Sequence, residues 1–556
     1  MLQRWLPVLA LWAALAAVYS PAATADFVNW DDTRFVVDNP LIEQGLRAYT
    51  VAAWTEVQFQ AYQPLHLLSY LPDLLLWPTS PAGFHLVNLV LFAAMVGLLY
   101  HLARRFVDPL PALLACALVS LHPICVEPVA WITSRKDLVS GVLFFLALTI
   151  DDRRWTQDAS ERPYWRCAWP GLVLFTCALL AKSSTVCYPL VLFAWLRWLR
   201  GVSWRRAAVV VLPHAALATA AAIAVATFWS SSQLIGQTRP VHPVLDVPAS
   251  YAVYLRHLVW PVDLSALYHP ESSFHTAAGV VVLVAALALV AAWRRLPGAA
   301  RFAAFAPAAA LAPVVNIVPM YFRYADRYTF LAWTVATIPI ALGLHALLEL
   351  LSDDRGGRTP ARLALVAGLG LLALVLAGLG HGQSRVWRDS QTLWRNAARL
   401  QPDSYFVRLK YGETLRDAGQ WQPAVAEYQS AIRLQPETSL AYAGLFYLYA
   451  RQSPEIDDDT ADRWLSVLGA AVRSPRDLRQ FRSRVASGGC LRCDRILLLL
   501  ELRRWPPGDE QLQAAARRAL ESGQRDIALI HLSEVRDQDS EGFRTLWQAA
   551  QPPGAR

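Results

Sequence analysis

Gly83-Phe84-His85-Leu86-Val87-Asn88-Leu89-Val90-Leu91-Phe92-Ala93-Ala94-Met95-Val96-Gly97-Leu98-Leu99-Tyr100-His101-Leu102-Ala103-Arg104-Arg105 decides the fold class. From Phe84 the run carries no ionised side chain until the Arg104-Arg105 pair closes it. At ~1.5 Å per helical residue it is long enough to cross a hydrocarbon layer ~30 Å thick. Further apolar runs cover residues 109–121, 138–150, 167–181, 186–199, 207–229, 277–293, 302–319, 329–350 and 363–380. With a first span over residues 5–25, the expectation is about 11 transmembrane helices in an all-α, polytopic domain. The Ala22-Ala23-Thr24-Ala25 end of the first run also suits a cleavable signal peptide. An uncleaved span is preferred for its length, and both readings place the next loop on the outer side.

Composition agrees with a membrane location. Of 556 residues, 55% are hydrophobic and 17% charged, too apolar a balance for a soluble enzyme of this length. The net charge of +8 comes from arginines gathered between apolar runs, which argues orientation in a bilayer and against nucleic acid. Alternate loops hold Arg104, Arg105, Arg153, Arg154, Arg162, Arg166, Arg197, Arg200, Arg205, Arg206, Arg294, Arg295, Arg301, Arg355, Arg358 and Arg362, and are expected to be cytoplasmic. The opposite loops, with the chain after Gly380, are then outside. Among the seven cysteines, Cys116, Cys125, Cys167, Cys177 and Cys187 read as small packing residues. Cys490 and Cys493 lack further ligands at zinc spacing, and a local disulfide is the expectation.

The first outer loop opens with Phe27-Val28-Asn29-Trp30-Asp31-Asp32-Thr33-Arg34-Phe35-Val36-Val37-Asp38-Asn39-Pro40. Two adjacent carboxylates framed by aromatics beside a membrane form a candidate working group. An Asx-turn or helix cap built on Asp32 is the structural alternative. The outer side also keeps cations against the charge bias: Arg135, Lys136, Lys182, Arg323 and Arg327, each near a span end. They suit a cradle for a phosphate at the membrane surface, or head-group snorkelling.

From Trp387 the chain turns polar. Gly412, Leu415, Gly419, Trp421, Ala424, Tyr428, Ala431 and Pro436 follow the 34-residue tetratricopeptide pattern, with partial copies on either side. This predicts three regions: a transmembrane domain over 1–383 with its working loop at 26–65, a repeat region over 384–452, and a degenerate helical region over 453–556. The last two read as a small α-solenoid whose concave face binds a peptide or protein.

The acid-pair stretch resembles the first-loop motif of the transmembrane and tetratricopeptide-repeat O-mannosyltransferases. Tyr62-Gln63-Pro64-Leu65, Gly83-Phe84-His85-Leu86-Val87-Asn88, Leu180-Ala181-Lys182, Ala325-Asp326-Arg327-Tyr328 and Trp387-Arg388-Asp389-Ser390 continue it in order. The most specific match is His122-Pro123-Ile124-Cys125-Val126-Glu127-Pro128-Val129-Ala130-Trp131-Ile132-Thr133-Ser134-Arg135-Lys136-Asp137. Two departures stand out: Gln63 replaces a common Arg, and the repeat array is short. The resemblance implies a GT-C glycosyltransferase that takes a sugar from a polyprenyl-phosphate carrier without a required metal or other cofactor. Asp31 and Asp32 become the catalytic pair, either one a general base for an acceptor hydroxyl. Arg135, Lys136, Lys182, Arg323 and Arg327 become the donor-phosphate set. Asn29, Glu127, His122 and Asp326 are candidates for acceptor contact or orientation, with Glu127 also a possible partner for Lys136. Asp326 is expected to pair with Arg323 or Arg327. The implied partners are a polyprenyl-phosphate-linked sugar, an acceptor protein held by the repeats, and membrane lipids. The implied location is a bacterial inner membrane with a periplasmic site, or the endoplasmic reticulum in a eukaryote. A transferase acting on lipid or polysaccharide, and a non-catalytic membrane scaffold, are the rival readings.

Overall fold

A computed structural model describes residues 2–58, 61–158, 164–231, 243–268, 273–317, 320, 322–352, 359–436, 439–452, 497–498, 501–502, 507–522, 524–538 and 540–551. Among these the regular structure is helical, apart from one isolated β-bridge between Gln58 and Ala61. The chain divides into two compact units, Met1–Leu400 and Gln401–Arg556.

In the first unit, among the described residues, four helices are long and apolar enough to cross a membrane: Pro81–Ala103, Trp204–Phe228, Ala277–Arg295 and Pro360–Val386. Two further candidates are bent pairs, Pro109–Ser120 with Pro123–Ala130 at 61° and Asp326–Val335 with Thr337–Leu350 at 47°. Among the described residues, four of the eleven expected spans meet that length by themselves, or up to six with the bent pairs. Shorter apolar helices cover Leu6–Val18, Trp169–Ala181 and Gly298–Val314.

Both bends have local causes. Pro123 forces His122 into an extended conformation (φ −67°, ψ 133°), and the His122 ring then caps the next turn by accepting from Ile124 N–H. In the second pair Pro339 has no N–H for the Val335 carbonyl, so the ladder fails where the helix turns. Each bend turns a short polar arm into the protein. One arm carries Glu127 and the other starts at Asp326-Arg327.

At one end of the helix Arg135–Asp158, Asp152 accepts from Trp195 Nε1 and both forks of Arg200, and pairs with Arg105. Arg105 and Arg200 belong to the arginine-rich loop set, so part of that charge is spent inside the protein.

In the second unit the helices Tyr405–Asp417, Trp421–Leu434 and Ser439–Gln452 close on Leu409, Leu415, Ala424, Tyr428, Ala431, Ala441, Leu445 and Leu448. Gly419, at φ +71°, makes the turn between the first two. The small positions of the 34-residue pattern serve contact. A methyl group on Gly412 would stand 2.9 Å from the Tyr428 ring, and one on Gly444 only 2.3 Å from it. Gly444→Ala is expected to destabilise this unit by about 1–3 kcal/mol through overpacking, read as a lower thermal midpoint. An unchanged midpoint would mean that Tyr428 has room to move.

Asp509–Glu521, Arg525–Ser533 and Glu541–Ala550 form a further helical cluster around Leu512, Ala516, Ala528, Leu532, Phe543 and Leu546. Cys490, Cys493 and most of the stretch between the two clusters lie outside the described residues, as does part of the loop 230–276.

Candidate active site

The acid pair diverges, as adjacent side chains do. Asp32 is fully buried. Its Oδ2 accepts from Val28 N–H at 3.0 Å, and its Oδ1 accepts from Thr133 N–H at 3.0 Å and from the Thr133 hydroxyl at 2.5 Å. Oδ2 thus ties the loop to its own start, and Oδ1 fastens it to the turn Ile132–Ser134. Asp31 is half-buried, and among the described residues no hydrogen bond or ion pair engages its carboxylate.

Burial raises the Asp32 carboxyl from 3.8 to about 6, against the three donors, which lower it; the Asp31 charge adds the smallest push upward. Repulsion between the two acids is therefore a lesser cause than desolvation. A carboxyl raised this way favours folding in its protonated form. That contribution is whole below about pH 4 and is lost as pH climbs through about 6, a difference of about 3 kcal/mol. The three donors, however, are arranged for the carboxylate. Between pH 4 and 6.5 the wild-type thermal midpoint should fall more than that of Asp32→Asn, while the loop becomes better fixed. Parallel midpoint curves would show that Asp32 does not titrate there.

Lys136 faces the same region. Its ammonium lies 5.6 Å from the Phe35 ring centre and 5.7 Å from that of Trp131, with no ion pair among the described residues. Burial lowers its pKa, and the nearby Asp31 charge opposes that shift. Arg327 stands within electrostatic reach of Asp31 as well. Its NH1 donates to Glu127 Oε1 at 2.5 Å, and its backbone N–H donates to Glu127 Oε2 at 3.0 Å. Its guanidinium lies 5.3 Å from the Trp131 ring centre and 5.8 Å from that of Phe322. Trp30, packed against Trp131, Phe322 and Trp394, completes an aromatic surround beside the acid pair.

The other expected site residues have partners of their own within the protein. Arg135 is buried, and all five of its N–H groups are used inside the protein: Nε on Asn88 Oδ1, NH1 on Asp73 and the Ser69 carbonyl, NH2 on Asp73 and the Phe84 carbonyl. No donor is left for a ligand phosphate, so Arg135 fixes the scaffold. Lys182 pairs with Asp137, and Arg323 with Asp246. Asp326 does not pair with Arg323 or Arg327. Its carboxylate accepts from Tyr268 Oη at 2.9 Å and faces His257 Nδ1 at 3.1 Å. Glu127 engages Arg327 rather than Lys136. His122 is spent on the cap described above and, through Nε2, on the Leu258 carbonyl at 3.0 Å. Asn29 joins through its backbone, its N–H donating to Ser390 Oγ and its carbonyl accepting from Trp394 Nε1.

The motifs spread along the first unit converge. Tyr70, soon after Tyr62-Gln63-Pro64-Leu65, donates to the Ile132 carbonyl. Asn88 donates to the carbonyls of Val129 and Trp131. Asp26 N–H donates to the Arg388 carbonyl. Asp73, Thr133 and Trp394 were missed as participants by sequence reasoning. Thr133 stands inside the most specific motif and was within reach. Nothing local marks Asp73 as the acid that Arg135 requires.

Helices long and apolar enough to cross a membrane, with a polar cluster in which Asp31 lies within electrostatic reach of Lys136 and Arg327, define the class of a polytopic membrane protein. No family model matches the chain. Part of it is similar to protein O-mannosyl-transferases. It is 27% identical over 183 residues to TMTC3 of Mus musculus, covering 32% of this chain and 19% of that one. It is 30% identical over 198 residues to Tmtc2 of Drosophila melanogaster, covering 33% and 21%. It is 33% identical over 132 residues to tmtc2 of Xenopus laevis, covering 23% and 15%. The chain thus matches about a fifth or less of the length of these curated relatives.

Proposed function

We propose that this protein is a membrane glycosyltransferase of GT-C type. It would move a sugar, mannose by analogy with its relatives' names, from a polyprenyl phosphate to Ser or Thr hydroxyls of exported proteins. The observation that carries the reading is the division within the acid pair: Asp32 is buried and fully bonded, whereas Asp31 is half-buried and, among the described residues, its carboxylate makes no hydrogen bond. Asp31 is the general base that takes the acceptor hydroxyl's proton as its oxygen attacks the anomeric carbon. Asp32 is a positioning residue that holds the Asp31 backbone. With one carboxylate available, a single displacement follows, and the anomeric centre inverts. The departing lipid phosphate gains negative charge, which Lys136 and Arg327 stabilise in a site poor in water. Lys182 and Arg323, each held by its own acid, shape the field from further back.

The positive-inside pattern orients the acid pair and the repeat unit outward, to the periplasm in a bacterial host. The helices around Tyr428 act as tetratricopeptide-like repeats that present the acceptor. The test supplies purified protein with radiolabelled polyprenyl-phosphate-mannose and a mixture of exported proteins. Label in protein is the expected result. Label only in lipid or polysaccharide would reassign the acceptor, and no turnover with any of several carrier sugars, by folded protein, would overturn the reading.

A further inference from the structure

Asp108, His345 and Glu349 come from distant parts of the sequence, yet one ligand atom from each lies within 4.8 Å of the other two. His345 and Glu349 stand one turn apart on Thr337–Leu350, so their side chains share a face. Asp108 precedes Pro109–Ser120 at the N-cap position. An aspartate there usually accepts from the first helical amides, but this side chain makes no capping hydrogen bond. Among the described residues none of the three side chains hydrogen-bonds or ion-pairs with a protein group. Two carboxylates are therefore held close together beside an imidazole, with no cation paired to either among the described residues.

We infer that Asp108, His345 and Glu349 bind a divalent transition-metal ion, with Zn²⁺ the best fit. One imidazole nitrogen and two carboxylate oxygens form a borderline-soft donor set that Zn²⁺ accepts with water in the remaining position. Glu349 also lies in the last turn of its helix, where the dipole favours a cation. The ion would brace the two bent pairs at the ends away from Glu127 and Arg327. Pro109–Ser120 leads to the arm bearing Glu127, and Thr337–Leu350 follows the arm bearing Arg327. This site is independent of the transfer reaction proposed above, and its test does not use it.

Full-length protein without a histidine tag, purified in detergent and stripped with chelator, is dialysed against Zn²⁺ at micromolar concentration. One ion should be retained per chain, and the thermal midpoint should rise by a few degrees. His345→Gln and Glu349→Gln, each on an accessible helix face that Gln suits, should match the wild-type midpoint in chelator. Each should bind Zn²⁺ about tenfold more weakly or worse. Retention and midpoint shift equal to wild type in both variants would overturn the site, as would a wild-type protein that retains no ion.

Discussion

Asp31→Asn should lower sugar transfer by about a thousandfold while leaving the thermal midpoint within about a degree of wild type. The Asp31 carboxylate has no hydrogen bond to lose among the described residues, and the amide keeps its volume. What disappears is the basicity needed when the acceptor oxygen attacks. Asp32→Asn should behave differently. Its amide cannot accept from Val28 N–H and Thr133 N–H together in the present geometry, because one end becomes a donor. The loop then loosens, and KM and kcat change together. Steady-state rates and melting curves of both variants, measured with the carrier sugar, separate the two roles. If Asp32→Asn abolishes turnover with normal stability while Asp31→Asn retains it, the assignment reverses.

Arg135→Ala should be the most destructive single change in the first unit, costing about 3–5 kcal/mol. It leaves Asp73 charged, buried and without its bidentate partner, and leaves the Asn88 side-chain oxygen and the Ser69 and Phe84 carbonyls without the guanidinium. Asp73→Ala should be comparably severe. Replacing both at once, Arg135→Met with Asp73→Leu, removes the unpaired charge and should recover part of the loss. The yield of monodisperse protein and its melting midpoint report the outcome. A stable Arg135→Ala with only a raised KM for the donor would restore Arg135 to the phosphate site.

These two cases mark how far the sequence could be read. The acid pair, the long apolar helices and the ordered set of motifs were legible, because each is local or carries its own spacing. Partnership was not. Arg135 and Lys136 are neighbours with the same charge, but one is the first residue of a helix facing Asp73 and the other turns toward the acid pair. Side chains at successive helical positions point about 100° apart, and sequence does not say which direction is solvent. Asp326 was expected to serve an adjacent arginine and instead serves Tyr268 and His257, since the helix beginning at Asp326 aims the two side chains apart. The shape of the spans was hidden in the same way. An apolar run with a proline reads as one short crossing, whereas the protein bends it and turns its polar arm inward.

The strap between the first loop and the segment Arg388–Trp394 has a consequence for biosynthesis. Asn29 meets Ser390 across 361 residues of sequence, and Trp394 closes on the Asn29 carbonyl. At ~5–20 residues per second, about 20–70 s of translation separate the two halves. During that interval the first loop lacks the hydrogen bonds from Asn29 N–H to Ser390 and from Trp394 to the Asn29 carbonyl. A chain that ends before Ser390 therefore cannot fasten its first loop in this way, however completely its earlier helices have packed.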